Sequence, residues 1–128
     1  MQTQITLKLH YLYECRNIWS LLSITGADTK PKTKFRNNCP CCHYVVYETP
    51  SATNTRNCNY CPLKGFAWNT ECEEEDKENV WSYYIEWCNA NSNYSEEEEC
   101  ELLYQRKYWA SRMVYACNQA IEDIIINS

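Results

Sequence analysis

The chain has 128 residues, a formal net charge of −5 and 45% apolar residues, which suits one domain with a sizeable core over residues 1–128. Its only two glycines, Gly26 and Gly65, exclude glycine-rich phosphate loops and dinucleotide fingerprints. No stretch approaches the ~20 consecutive apolar residues of a membrane span, and a net-negative chain is poorly matched to sequence-independent duplex binding, which depends on neutralising phosphates.

The charge is divided unevenly. Residues 1–64 carry eight Lys/Arg against three Asp/Glu, whereas residues 65–128 carry four against fourteen. The opening residues, from Met1 to Thr6, lack the basic start and apolar run of a secretory signal, so the expected compartment is a reducing cytoplasm. Ten cysteines in that setting point to metal binding in preference to disulfides.

Residues 6–25 are expected to form the first helix. Leu12, Cys15, Trp19 and Leu22 follow i, i+3, i+7, i+10 spacing, with Ile18 and Leu21 widening the stripe. Gly26 supplies a C-terminal stop and Pro31 lies beyond it. Alternation of Ile5, Leu7, Leu9 and Tyr11 is a competing strand signal, but the helical period persists for longer.

The loop at 26–38 is basic, with Lys30, Lys32, Lys34 and Arg36. Immediately after it comes C-x2-C-x15-C-x2-C, formed by Cys39, Cys42, Cys58 and Cys61. Two residues between thiolates let one tight turn aim both sulfurs at a single tetrahedral ion, and the connector lets a second turn complete the shell. These four are the expected ligands of a structural Zn²⁺, with Cys41, His43 and Cys72 as alternates. Residues 43–47 fit a short strand or one helical turn, and Pro62 fits a sharp turn out of the second knuckle. Residues 27–72 thus form a basic loop and zinc module between an N-terminal helix and an acidic helical part, residues 73–128.

Two acidic runs follow, each leading into a helix. The run from Glu73 to Asp76 precedes Val80, Trp81, Tyr84, Ile85 and Cys88, which share a helical face. Ser95 with Glu98 makes a capping box, and Glu96 to Glu99 suit the positive end of the helix dipole. Leu102, Arg106, Trp109, Met113, Ala116, Ala120 and Ile124 then repeat in steps of three and four, predicting one helix of about 28 residues. Cys15, Cys88, Cys100 and Cys117 fall in the helical patterns and are expected to be small buried hydrophobes.

Cys39-Pro40-Cys41-Cys42 also contains a C-P-x-C element, but no βαβ pattern surrounds it, which argues against thiol redox chemistry. A hydrolytic zinc needs an open coordination position and usually His or carboxylate ligands, and the chain has only His10 and His43. A non-catalytic protein is therefore expected. Its aromatics are abundant: eleven Tyr, five Trp and two Phe. Trp19, Trp81, Trp87 and Trp109 are expected in the core. Tyrosines such as Tyr83, Tyr84, Tyr104, Tyr108 and Tyr115, if exposed together, would make a protein interface or a stacking platform for a base. Lys32, Lys34, Arg36, Tyr44 and Tyr60 are the candidate ligand- or partner-binding residues around the knuckles.

Asn37-Asn38-Cys39-Pro40-Cys41-Cys42, Cys58-Asn59-Tyr60-Cys61-Pro62-Leu63, Cys72 and Tyr84-Ile85-Glu86-Trp87 together resemble a group of small, mostly uncharacterised zinc-binding proteins of tailed bacteriophages. The resemblance spans residues 7–87, and Cys41 departs from the usual pattern. It implies a phage origin, action in the host cytoplasm and a zinc-stabilised fold, and carries no established activity. The combined expectation is a mainly α domain stapled by a zinc-ribbon-like insert with four cysteine ligands. Its expected role is binding or sequestering a host factor, either a defence or metabolic protein or a signalling nucleotide. The alternative is a zinc-ribbon nucleic-acid binder. Self-association is compatible with either reading.

Overall fold

A computed structural model describes residues 4–27, 40–45, 61–69, 81–90 and 99–127. The described part is mainly helical. Its elements in order are α1 (Gln4–Thr25), α2 (Pro40–His43), α3 (Tyr83–Asn89) and α4 (Glu99–Asn127). Helix α1 lies along α4, α3 packs on α4, and α2 sits against α1.

The pairing of α1 with α4 follows from two apolar stripes that neither helix can bury alone. In α1 the buried residues are Tyr11, Leu12, Cys15, Trp19 and Leu22, four of which form the predicted stripe. Ile18 is partly buried against the core, but Leu21 is 48% exposed, so the stripe is narrower than expected on that flank. In α4 the core face carries Arg106, Ala110, Met113, Ala116, Cys117, Ala120 and Ile121. The small side chains of Ala110, Ala116, Cys117 and Ala120 let the two backbones approach closely. The partly buried Leu102, Trp109 and Ile124 flank this face.

The end of α1 is locked by a chemically specific contact. Gly26 has φ 68°, the left-handed conformation of a helix terminator, and its N–H donates to the Leu22 carbonyl at 2.8 Å. A Cβ at this position would collide with Leu103 and crowd Lys107 of α4. The Gly26 carbonyl accepts a 2.8 Å hydrogen bond from Arg106 Nε, although Arg106 is itself buried. A cation at a helix C-terminus is also favoured by the helix dipole. Helix packing and helix termination therefore share one residue.

The chain from Cys61 onward makes a compact turn. Pro62 and Leu63 turn the chain, and the N–H groups of Phe66 and Ala67 donate to the Leu63 carbonyl at 3.0 and 2.9 Å. Gly65 adopts φ 89° and donates to the Trp68 carbonyl at 2.7 Å. Trp68 then bridges antiparallel to Ser82, and Tyr83 N–H donates to the Ala67 carbonyl at 2.9 Å. Leu63, Ala67 and Trp68 are buried, so this turn contributes core as well as connection.

That stitching corrects the predicted course of the second helical segment. Trp81 precedes α3, donates its N–H to Asn69 Oδ1 at 2.9 Å and is 37% exposed, instead of lying on a buried helical face. Ser82 is the N-cap: its backbone is extended and its hydroxyl accepts from Ile85 N–H at 3.2 Å. Helix α3 therefore starts at Tyr83 and buries Trp87. Trp19 meets Trp87 edge to face with centroids 5.1 Å apart, a favoured aromatic geometry. Val80, the acidic run from Glu73 to Asp76 and the Ser95 capping box lie outside the described residues.

Candidate functional site: a thiol centre and an aromatic–arginine face

The first cysteine pair is described from Pro40 onward, as α2. Its residues form a helical turn that runs on through Tyr44 and Val45, which settles the local choice between strand and helix at residues 43–45. The turn separates its two cysteines. Cys41 is fully buried, at 0% exposure, whereas Cys42 is only partly buried. Cys61, at the head of the turn over residues 62–68, is also buried.

The side chains of Cys15, on the core face of α1, and of Cys61 are neighbours of the Cys41 thiol in the core. These contacts, reinforced by burial, hold the Cys41 thiol well above the ordinary thiol range. The three sulfurs come from chain positions 15, 41 and 61. Spacing along the chain does not reveal this role for Cys15, because its place in an apolar stripe makes it indistinguishable from a core residue.

The sulfur-rich composition suits a soft or borderline cation such as Zn²⁺ better than a hard one. Among the described residues, which include Cys15, Cys41, Cys42, His43 and Cys61, no three His, Cys, Asp or Glu side chains form a group that could hold a metal ion. Of the expected zinc ligands and their alternates, Cys41, Cys42, His43 and Cys61 are described; Cys39, Cys58 and Cys72 lie outside the described residues. His43 is half-buried beside Tyr11, with ring centroids 5.7 Å apart.

Tyr44 is 3% exposed and packs on Tyr11 at 5.8 Å, which places its ring in the core. Lys32, Lys34, Arg36 and Tyr60, the other candidate partner-binding residues, lie outside the described residues.

The exposed aromatics are gathered elsewhere. Tyr104, Tyr108, Arg112 and Tyr115 recur at four-, four- and three-residue steps along α4, on the face away from Arg106, Ala110, Met113 and Cys117. Tyr104, Tyr108 and Tyr115 are all exposed, Tyr104 by 68%. The rings continue onto α3. Tyr108 meets Trp109 edge to face at 4.9 Å, Trp109 lies 6.0 Å from Tyr83, and Tyr83 lies 5.3 Å from Trp81.

Arg112 joins the two helices in this face. Its guanidinium lies 4.6 Å from the centre of Tyr115 and 5.1 Å from that of Tyr83, and its Nη2 donates to the Tyr83 hydroxyl at 3.0 Å. That hydrogen bond pushes the Arg112 pKa further up, so the cation is permanent. A second such pair lies at the α1–α4 seam: Arg16 covers Tyr13 at 4.8 Å and donates to Asn118 Oδ1 at 3.2 Å.

No helix of the described residues is long and apolar enough to cross a membrane. The chain matches no protein-family model, no curated protein and no solved structure.

Proposed function

We propose that this chain is a non-catalytic, zinc-stapled accessory protein of phage type that binds a host protein in the cytoplasm. One observation carries the reading: Trp81, Tyr83, Tyr108, Trp109, Arg112 and Tyr115 form a continuous, partly exposed face across α3 and α4. Trp, Tyr and Arg are the residues most enriched in binding hot spots, because each combines a large apolar area with a polar handle. Mutual ring contacts order these side chains before a partner arrives, which lowers the entropic cost of binding.

Zinc has a structural part in this reading. Its ligands are drawn from the knuckle cysteines, with Cys39, Cys42, Cys58 and Cys61 as the set that the spacing selects. The ion supplies folding free energy to this segment directly. The aromatic face supplies recognition.

The nucleic-acid alternative places recognition at the basic loop and at Tyr44 or Tyr60, and a buried Tyr44 offers no free ring for stacking. A signalling nucleotide is the other alternative occupant of the aromatic face.

The test uses native mass spectrometry of the full chain purified from a bacterial host, compared with a Trp81→Ala/Tyr108→Ala double variant. A host protein bound to wild type and absent from an equally stable double variant supports the reading. A nucleotide in its place redirects it to the nucleotide alternative. Equal partner retention by both chains overturns the assignment of the face.

A further inference from the structure

A band of side chains runs across the outside of α4 from one flanking helix to the other. On the α1 side, Arg16 covers the ring of Tyr13 at 4.8 Å and donates to Asn118 Oδ1 at 3.2 Å. On the α3 side, Arg112 donates to the Tyr83 hydroxyl at 3.0 Å and covers the rings of Tyr83 and Tyr115. Tyr115 and Asn118 are three residues apart on α4 and are therefore neighbours on its surface. The exposed ring of Tyr115 thus lies between two guanidinium groups.

We infer that this band docks an acidic segment of the partner protein, whose carboxylates engage Arg16 and Arg112 while an apolar side chain between them rests on Tyr115. The inference rests on the protein-binding reading above and deepens it. It names the partner's chemistry and adds Arg16 to the contact surface.

Three features support it. Residues 65–128 hold fourteen Asp/Glu and four Lys/Arg, yet residues 102–121 contain none of the former and three of the latter, Arg106, Lys107 and Arg112. Arg106 is buried against the Gly26 carbonyl, so exposed Lys107 and Arg112 give this stretch of α4 its positive outer surface. Second, each guanidinium is bonded to a neutral oxygen, the Asn118 amide or the Tyr83 phenol, and keeps its full charge for a partner. A guanidinium carries further N–H donors in a planar fork that matches a carboxylate, and the rings beneath hold that fork in place.

Third, the positive window is short. Glu99 and Glu101 precede it and Glu122 and Asp123 follow it, which leaves about 30 Å of helix between them. A short acidic segment fits within that length. The phosphate backbone of a nucleic acid continues past it onto the carboxylates at both ends of α4.

NMR titration of the full chain, following the Nε–Hε signals of Arg16 and Arg112, tests this without any substitution. The probes are a capped peptide of alternating glutamate and leucine, the same peptide with glutamine in place of glutamate, and a short oligothymidylate. The glutamate peptide should move both arginine signals and bind about tenfold more tightly than the glutamine peptide, the scale of two partly desolvated ion pairs. Added salt should shrink that preference. Equal binding of the two peptides, no binding of the glutamate peptide, or tighter binding of the oligothymidylate overturns the inference.

An Arg16→Gln/Arg112→Gln variant that matches the wild-type melt separates this inference from the reading beneath it. In the native mass spectrometry comparison, it should lose the host protein that wild type carries, as Trp81→Ala/Tyr108→Ala does. Loss from Trp81→Ala/Tyr108→Ala alone overturns the inference and leaves the protein-binding reading standing. Retention by both variants overturns both.

Discussion

The α1–α4 pair and the cysteine-rich centre are built on different physics. The pair has two long helices, periodic apolar stripes and a close seam of Ala110, Ala116 and Ala120 against Leu12, Trp19 and Leu22. The centre has a four-residue helix, a short turn and a cluster of thiols. The first is held by area removed from water, a term spread over many side chains and tolerant of single losses. Under the proposed zinc reading, the second concentrates its cohesion in a few sulfurs, and stability depends on each one. Robustness should therefore differ sharply between the two regions.

The largest effect tests the centre. Cys39→Ser/Cys58→Ser, or chelation of the wild-type chain, should unfold the domain, because apparent zinc binding free energies in small structural sites are about 10–16 kcal/mol. Calorimetry of the two preparations checks this. An unchanged cooperative melt would remove the zinc staple, and a surviving cooperative transition of lower enthalpy would mean that α1 and α4 fold without the centre.

Next in size is the helical pair. Trp19→Ala removes the ring that meets Trp87 and Tyr84 and should cost about 3–5 kcal/mol by urea denaturation. The metal-loaded protein should still fold, unlike the double serine variant. Equal damage from both changes would erase the distinction between distributed and concentrated stability.

The junction at Gly26 should give intermediate effects. Arg106→Met deletes a hydrogen bond from a buried cation to the Gly26 carbonyl and is expected to cost about 2 kcal/mol. Gly26→Ala forces a side chain into left-handed backbone and against Leu103, for about 1–3 kcal/mol. The two residues share this contact, so their double-mutant cycle should be non-additive. Additive losses would show that helix termination and helix packing are independent here.

The smallest effect on stability belongs to the aromatic face. Tyr108→Ala is expected to move the unfolding free energy by no more than about 0.5 kcal/mol, as exposed substitutions generally do. Its effect should appear in partner retention. A large stability loss at Tyr108 would make the Tyr108–Trp109 contact part of the fold instead of a recognition surface.

Much of the helical pair was legible from spacing. Leu12, Cys15, Trp19 and Leu22 repeat at helical intervals and are buried, Gly26 ends α1, and the three-and-four repeat from Leu102 to Ile124 runs through α4. Periodicity works there because each stripe faces one neighbour along its whole length. It failed at Trp81, where the Trp68–Ser82 bridge and the Ser82 cap start α3 later than the apolar pattern suggested. A pairing between residues 68 and 82 has no local signature, so a window of neighbouring residues cannot find it.

Sequence by itself determined the helical class, the end of α1 at Gly26 and the long helical repeat of α4. These are local properties: dihedral preference and residue period. Tertiary structure decided which tyrosines are buried and which exposed, joined Arg112 to Tyr83, and brought Cys15 of α1 and Cys61 against Cys41. Each of those pairs residues distant in the chain, and only the packing of whole elements fixes which side chains meet.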